Sequence, residues 1–186
     1  CHPRLVHPDS PVAGSKLAAF MRLAQELREE DHRALVFSQF TSHLALVREE
    51  LARAGIAIAY LDGATPAAER KRRILAFQAG EGDAFLISLK AGGTGLNLTG
   101  ADYVIHLDPW WNPAVEDQAT DRAHRIGQTR PVFVHDLIIA GSVEERMLSL
   151  QRHKRDLADA VLGPEAKRAT TLSERDIDDL LAPLAD

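Results

Sequence analysis

Residues 84–98 read AFLISLKAGGTGLNL, an apolar run followed directly by a glycine-rich stretch. The run at 84–88 predicts a short strand buried on both faces, because it is apolar almost throughout and ends on a polar residue. Residues 91–100 predict a loop, since four of them are glycine. In parallel α/β sheets, the loops that follow the strands form the ligand-binding edge. The glycine-rich stretch is therefore predicted to lie at such an edge.

The same alternation extends in both directions from this stretch. Four further apolar runs predict strands, at residues 34–37, 56–61, 103–107 and 132–139. Helical spacing begins at Ser15, a predicted cap, and recurs at residues 41–54, 66–79, 113–125 and 142–162. Thr65 is a predicted cap with Pro66 at the first helical position, and Ser142 with Glu145 predicts a capping box. This pattern predicts an α/β fold, a parallel sheet flanked by helices on both faces.

Composition narrows the class of protein. The chain has 186 residues, of which 45% are hydrophobic and 26% charged, as in a soluble globular domain. Cys1 is the only cysteine, which excludes an intrachain disulfide and favours a reducing, cytoplasmic compartment. We expect no membrane partner, because no apolar run approaches the length of a spanning helix. The formal charge of −5 requires any nucleic acid to bind through a local patch.

The glycine-rich stretch is the first candidate site. Three glycines within four residues, Gly92, Gly93 and Gly95, allow close approach of the backbone to another molecule and point N–H groups at an anion. Ser88 and Lys90 add side-chain donors. The spacing matches neither the dinucleotide fingerprint nor a Walker A loop. A phosphate-contacting loop and a tight turn of no further function both fit these residues.

The predicted helix at 113–125 is the second candidate. Gln118, Arg122 and Arg125 are four and three residues apart, which places them on one helical face. Two arginines and a glutamine on one face suit a triphosphate or its transition state. A solvated face, with both arginines paired to nearby acids, is the alternative.

Two further stretches have open interpretations. Residues 69–73 (ERKRR) either meet phosphate through one or two side chains or form a charged, exposed face. Trp110 and Trp111, held between two prolines, either stack on bases or fill a seam between helix and sheet. The eight histidines show no metal-ligand spacing, so we expect no metal site in this chain.

Taken in order, these motifs resemble the second RecA-like lobe of the Swi/Snf-type DNA-translocating ATPases of helicase superfamily two. The resemblance spans roughly residues 1–160. The matching blocks are Cys1-His2-Pro3-x-Leu5, Leu35-Val-Phe-Ser38-Gln39-Phe40, Leu61-Asp62-Gly63-x-Thr65-x4-Arg70, Ser88 to Leu98, Asp108-Pro-Trp-Trp-Asn-Pro113, and Asp121-Arg122-Ala-His124-Arg125-Ile-Gly127-Gln128. One departure is Leu89-Lys90, where relatives commonly carry a threonine-arginine pair. The resemblance implies a RecA-like fold, that of a P-loop NTPase-like helicase C-terminal lobe, and a bacterial source is expected.

The resemblance also implies roles. Arg122 and Arg125 would be arginine fingers on the γ-phosphate of ATP. The ATP-binding set would add Gln118, Gly93, Gly95 and Asn97. The surface for double-stranded DNA would include Ser38, Gln39, Thr65, Arg70, Ser88, Lys90 and Trp111.

The resemblance further implies that this chain is half of a motor. Residues 1–14 would connect it to a first RecA-like lobe that holds most of the ATP and the Mg²⁺, residues 15–162 would form the second lobe, and residues 163–186 an acidic extension. A nucleoprotein or transcription complex would be a further partner, and a bacterial protein would associate with the nucleoid. Two alternatives remain: a superfamily-two RNA helicase lobe, or a non-catalytic α/β interaction module.

Overall fold

A computed structural model gives the structure of residues 2–7, 9–12, 14–92, 97–125 and 127–162. Strands and helices alternate along the chain, as predicted. The strands are β1 (Ala34–Ser38), β2 (Ile58–Leu61), β3 (Ala84–Ser88), β4 (Tyr103–His106) and β5 (Phe133–Asp136). The helices are α1 (Ser15–Glu29), α2 (Thr41–Arg53), α3 (Ala67–Gln78), the single turn α4 (Leu89–Gly92), α5 (Pro113–Thr120) and α6 (Val143–Leu162). The predicted acidic extension at 163–186 lies outside the described residues, and the predicted domain boundaries stay predictions.

The five strands form one parallel sheet in the order β2-β3-β1-β4-β5. β1 is central, and Ser38 at its carboxyl end pairs with Ser88 of β3. On its other side, Phe37 pairs with His106 at the end of β4. The loops that follow β1, β3 and β4 therefore leave the sheet at the same edge. The predicted parallel α/β architecture is confirmed.

The core occupies both faces of this sheet. On one face Val36 and Ile105 pack with residues of α1 and α2. On the other face, Phe37 and Phe85 pack with Phe77 of α3. Ala119 in α5 and Ala123 just after it belong to the same cluster. β1 and β3 are buried along all five of their residues. Since each large apolar side chain contributes about 1.5–3 kcal/mol when buried, these two strands are the most firmly held.

Two predicted helix caps are wrong. Gly14 occupies the N-cap position of α1, and Ser15 is its first helical residue. Pro66 occupies the N-cap position of α3, and the Thr65 hydroxyl instead donates to Asp62 Oδ1 at 2.9 Å. Thr65 is therefore used to close the turn that follows β2, before the helix begins.

The capping box predicted from Ser142 and Glu145 does not form as such: both side chains bond at the start of α6, each to an N–H one residue earlier than predicted. Ser142 Oγ accepts a hydrogen bond from the Glu144 N–H at 3.2 Å, as a cap does. Glu145 reaches back to the N–H of Gly141, at 2.7 Å, one residue earlier than predicted. The bond to Glu144 satisfies an N–H group that the start of a helix leaves without a partner, and the bond from Gly141 ties the residue before the cap to the first turn.

The helix predicted at 113–125 ends at Thr120, so the prediction is wrong over residues 121–125. Beyond Thr120 the N–H of Arg122 bonds to the carbonyl of Ala119, and the N–H of Ala123 to that of Thr120. These are bonds between residues three apart, and they form turns. Gln118 therefore lies on α5, whereas Arg122 and Arg125 lie in the turns after it, and the argument from a shared helical face does not hold.

Candidate functional site

Asp108 organises the carboxyl edge of the sheet between β1 and β4. Its Oδ1 accepts the Ser38 hydroxyl at 2.5 Å, and its Oδ2 accepts the Gln39 N–H at 2.9 Å. The Gln39 side chain donates to the Pro109 carbonyl at 3.3 Å. The loop after β1 is thus tied to the loop after β4. Ser38 is fully buried with its hydroxyl already bonded, so of this pair Gln39 is the residue placed nearer solvent.

The loop after β3 begins with a single helical turn. Ser88, which is buried, accepts the N–H of Ala91 on its hydroxyl at 3.3 Å. Lys90 is exposed on this turn. Arg70 of α3 donates to the Ala91 carbonyl at 3.0 Å, which fastens α3 to the start of the glycine-rich stretch. Gly93 and Gly95, predicted to contact ATP, lie outside the described residues.

Thr65 lies on a separate turn of the chain, after β2. Its hydroxyl and that of Tyr60 both donate to Asp62. Burial alone would raise the pKa of Asp62, but these bonds and two backbone N–H groups lower it below its usual value. No hydrogen bond joins Thr65 to the other predicted phosphate-contacting residues within the described ranges.

The two predicted arginine fingers differ in environment. Arg122 is 2% exposed, and its Nε and Nη1 have no hydrogen-bond partner among the described residues. Arg125 is exposed, and its Nε donates to the Asp121 carbonyl at 3.1 Å. Burial lowers the pKa of Arg122, the charge of Arg125 lowers it further, and Asp121 acts in the opposite direction. In the described part of the chain neither arginine forms an ion pair, which removes the solvated-pair alternative. Gln118 is exposed on α5.

Among the described residues, Arg122 has a buried guanidinium without an ion pair, which favours the binding of an anion. A buried charge without a counterion is costly, and an anion that reaches it recovers much of that cost. The five N–H donors of arginine suit phosphate oxygens in particular. Arg125 is open to a phosphate that approaches from outside the chain, whereas Arg122 would reach one only after the residues that cover its guanidinium move.

Residues 97–101 connect the glycine-rich stretch to the arginines. The N–H of Leu98 donates to the carbonyl of Arg122 at 3.0 Å. Asn97 is exposed, and its carbonyl accepts from the side chain of Gln78 on α3 at 3.2 Å. The Gln128 amide donates to the carbonyls of Thr99 and Ala101 at 3.1 and 2.7 Å. The structure thus brings together the predicted nucleotide residues Asn97 and Arg122 through this segment.

The two tryptophans differ in environment, which separates the two predicted roles of filling a seam and stacking on bases. Trp110 packs against the core, and its backbone N–H donates to Glu116 Oε1 of α5 at 2.5 Å. Gln151 of α6 donates to the Trp110 carbonyl and, at 3.2 Å, to Glu116. Trp111 is half-buried at the same loop, with its ring centroid 6.3 Å from that of Trp110. Trp110 therefore fills the seam, and Trp111 is the tryptophan that remains a candidate for contact with DNA.

Several buried polar residues were not predicted from the sequence. Lys16 of α1 is 4% exposed, donates to the Leu107 carbonyl at 2.8 Å and pairs with Glu144 of α6 at 2.5 Å. Gln78 and Gln151 are likewise bonded to residues far along the chain. No local pattern marks such residues, because their partners lie in other elements.

The described residues offer neither a cluster of metal ligands nor a membrane-spanning helix. No group of three or more histidine, cysteine, aspartate or glutamate side chains there is placed to hold a metal ion. Within the same ranges, no helix combines the length and apolar character that crossing a membrane requires.

The chain is similar to a known domain family and to several characterised proteins. The family described as "Helicase conserved C-terminal domain" matches residues 15–127. DNA repair protein RAD5 of Cryptococcus neoformans is 48% identical over 168 residues, which are 88% of this chain and 14% of that protein. The putative ATP-dependent helicase/translocase YwqA of Bacillus subtilis is 40% identical over 166 residues, 89% of this chain and 18% of that protein. The chain therefore spans less than a fifth of these relatives.

Two solved structures share the fold. The C-terminal part of the Fun30 ATPase domain matches with a TM-score of 0.71 and 35% identity, over 74% of this chain and 45% of that one. The Sulfolobus solfataricus SWI2/SNF2 ATPase core in complex with dsDNA matches with a TM-score of 0.72 and 33% identity, over 96% of this chain and 38% of that one. The sheet and helices described above are thus those of a RecA-like helicase C-terminal lobe.

Proposed function

This chain belongs to the helicase conserved C-terminal domain family, in its Swi/Snf type, and we propose that it is the second motor lobe of an ATP-dependent double-stranded DNA translocase. The observation that carries the proposal is the buried guanidinium of Arg122, in which two nitrogens have no partner among the described residues and whose pKa is lowered in part by the charge of the exposed Arg125. The relative from Bacillus subtilis, named as a putative ATP-dependent helicase/translocase, supports the use of ATP.

The reaction needs residues from two lobes. Phosphoryl transfer requires a P-loop lysine, Mg²⁺ and a positioned water in addition to arginine fingers. The 186 residues contain no Gly-Lys-Ser/Thr loop, so we assign these parts and the Mg²⁺ to a first lobe. When bound there, Mg²⁺ neutralises phosphate charge. Arg122 and Arg125 supply positive charge where the γ-phosphate develops negative charge in the transition state.

DNA binding is the second half of the proposal. Gln39 and Lys90 lie on the loops after β1 and β3, and Arg70 reaches the same region from α3. Amide, ammonium and guanidinium groups contact phosphate oxygens, which carry no sequence information, so binding is sequence-independent. ATP closes the two lobes, hydrolysis reopens them, and each cycle moves one lobe along the duplex. A solved relative in complex with dsDNA supports the choice of substrate.

The test is Arg125→Ala in the intact protein that carries this chain. We expect turnover stimulated by duplex DNA to fall by a factor on the order of 10³, because an arginine finger contributes about 10³–10⁵ to kcat. ATP binding, measured with a fluorescent nucleotide, stays largely intact. Arg53→Ala is the matched control, since Arg53 is an exposed arginine of α2 that, among the described residues, pairs with Glu49 and Glu50 of its own helix.

Near-normal turnover in Arg125→Ala contradicts the motor assignment. Stimulation of the native protein by RNA in preference to duplex DNA would instead select an RNA helicase lobe. A non-catalytic module would show no turnover with either nucleic acid.

A further inference from the structure

Gln78, the last residue of α3, holds residues 97–100 through three hydrogen bonds. Its Nε2 donates to the Asn97 carbonyl at 3.2 Å and to the Thr99 hydroxyl at 3.3 Å. Its Oε1 accepts the Gly100 N–H at 2.6 Å. Both ends of one side-chain amide are thus used on a segment about twenty residues away. Movement of α3 relative to this segment breaks all three bonds.

Residues 98–101 also bond to the part of the chain that follows α5 and contains Arg122. Leu98 N–H donates to the Arg122 carbonyl, and Gln128 donates to the carbonyls on either side of Gly100. Residues 97–101 therefore contact α3 on one side and the residues around Arg122 on the other. A displacement of the segment is transmitted to the backbone of Arg122 without passing through solvent.

α3 also touches the other end of the glycine-rich stretch. Arg70, in the second turn of α3, donates to the carbonyl of Ala91. The same helix is thus bonded before the stretch by Arg70 and after it by Gln78. A phosphate that pulls on Arg70 acts on a helix whose far end holds the segment leading to Arg122.

We propose that Gln78 is a positioning residue that couples DNA contact at α3 to the placement of Arg122. The proposal rests on the proposed motor function and adds a residue that none of the motifs in the sequence includes. Coupling between sites is carried by such continuous hydrogen-bond networks, and altering one member changes the coupling without touching either ligand.

Gly100 provides a second way to break the same contact. A methyl group on its Cα would lie 2.6 Å from the Gln78 Oε1, and the next nearest atom is Arg33 Nη1 at 3.2 Å. Gly100→Ala therefore displaces the Gln78 amide while leaving Gln78 itself in the sequence. Two different substitutions thus test one hydrogen-bonded contact.

The experiment measures ATP turnover of the intact protein against duplex DNA concentration. For Gln78→Ala we expect kcat at saturating DNA to fall about tenfold, within the range of coupling changes seen in such networks. The DNA concentration for half-maximal stimulation and the turnover without DNA stay within about twofold, because Gln78 contacts neither ligand. Gln25→Ala is the matched control, since Gln25 is an exposed helical glutamine whose side chain, within the described ranges, bonds to Glu29 of the same helix.

Gly100→Ala should reproduce the Gln78→Ala phenotype, and the double variant should be no worse than either single one, because both remove the same contact. The proposal is overturned if turnover at saturating DNA is unchanged in Gln78→Ala. It is equally overturned if DNA-free turnover and the midpoint of thermal unfolding fall together with it, since that result marks a purely structural role. Arg125→Ala separates the two hypotheses: if it abolishes stimulation and Gln78→Ala does not, only the coupling role fails.

Discussion

His106 is a titratable residue inside the core at the end of β4. Its ring stacks on Phe37, with centroids 5.6 Å apart, and its Nε2 lies 3.4 Å from the Thr120 hydroxyl. Burial lowers the pKa of His106 below its ordinary value of 6.5, although the carboxylates of Asp136 and Asp108 oppose the shift. The folded protein therefore favours the neutral ring.

This shift predicts a loss of stability in mild acid. The unfolded chain takes up a proton near pH 6.5 and the folded chain only at lower pH, so the free energy of unfolding falls as pH drops below about 6.5. One proton contributes at most about 1.4 kcal/mol per pH unit. His106→Gln should show a shallower fall between pH 7.5 and 5 in urea titrations. His2, whose pKa is also lowered by burial, keeps part of the slope.

His7→Gln is the control for this prediction, because His7 is exposed. It should retain the slope of the native chain. An unchanged slope in His106→Gln would show that His106 does not titrate differently in the two states.

Arg33 has a structural role that could not be predicted from the sequence. Its guanidinium donates to four backbone carbonyls, with distances from 2.6 to 3.1 Å. It also lies 3.9 Å above the ring of Phe77. The acceptors belong to Phe77, Glu81, Gly82 and Gly100. The order of the motifs predicted which residues form the candidate site. The hydrogen bonds of Arg33 depend instead on how distant segments of the chain pack together, and no local sequence pattern indicates them.

At the scale of elements, the buried strands were the easiest to predict. β1 and β3 are apolar along their whole length because both of their faces are covered. The end of α5 was not predictable from periodicity, since turns with a spacing of three resemble a helix over so few residues. Ala119 in α5 and Ala123 in the turns beyond it both lie in the core, so the apolar pattern continues across the end of the helix.

The five strands should differ in hydrogen exchange. β1 and β3 have neighbours on both sides and are fully buried, whereas β5 lies at the edge of the sheet with all four residues exposed. Strands with few buried contacts open at lower free energy. We expect the amides of β1 and β3 to exchange at least about 100-fold more slowly than those of β5, a difference of about 2.7 kcal/mol in opening.

β2, the opposite edge strand, provides an internal comparison. Three of its residues are half-buried and one is buried, so its amides should exchange at intermediate rates. Equal protection in β5 and β1 would mean that something covers β5 in solution.

At the scale of the whole molecule, the 186 residues contain the two proposed arginine fingers but no Gly-Lys-Ser/Thr loop. We expect the 186-residue chain alone to hydrolyse ATP no faster than a buffer control, with or without duplex DNA, in a phosphate-release assay. Its DNA affinity should be weak and fall steeply between about 50 and 200 mM salt, because the proposed contacts are to phosphates. Turnover by the chain alone, lost in Arg125→Ala, would contradict the two-lobe requirement.

The overall architecture followed from the sequence because every level of pattern agreed. Apolar runs, amphipathic stretches and ordered motifs all indicated one parallel sheet covered on both faces, as the structure has it. The strand order and the hydrogen bonds between loops could not be predicted from the sequence. A pattern of buried residues does not say which strands are neighbours in the sheet.

The bond from Leu98 N–H to the Arg122 carbonyl joins main chain to main chain. Exchange of either side chain leaves both atoms in place, so mutational drift at these two positions does not by itself sever the link. Proline at position 98 is the single natural amino acid that deletes the donor. At these two positions, Leu98→Pro is therefore the substitution that removes the link.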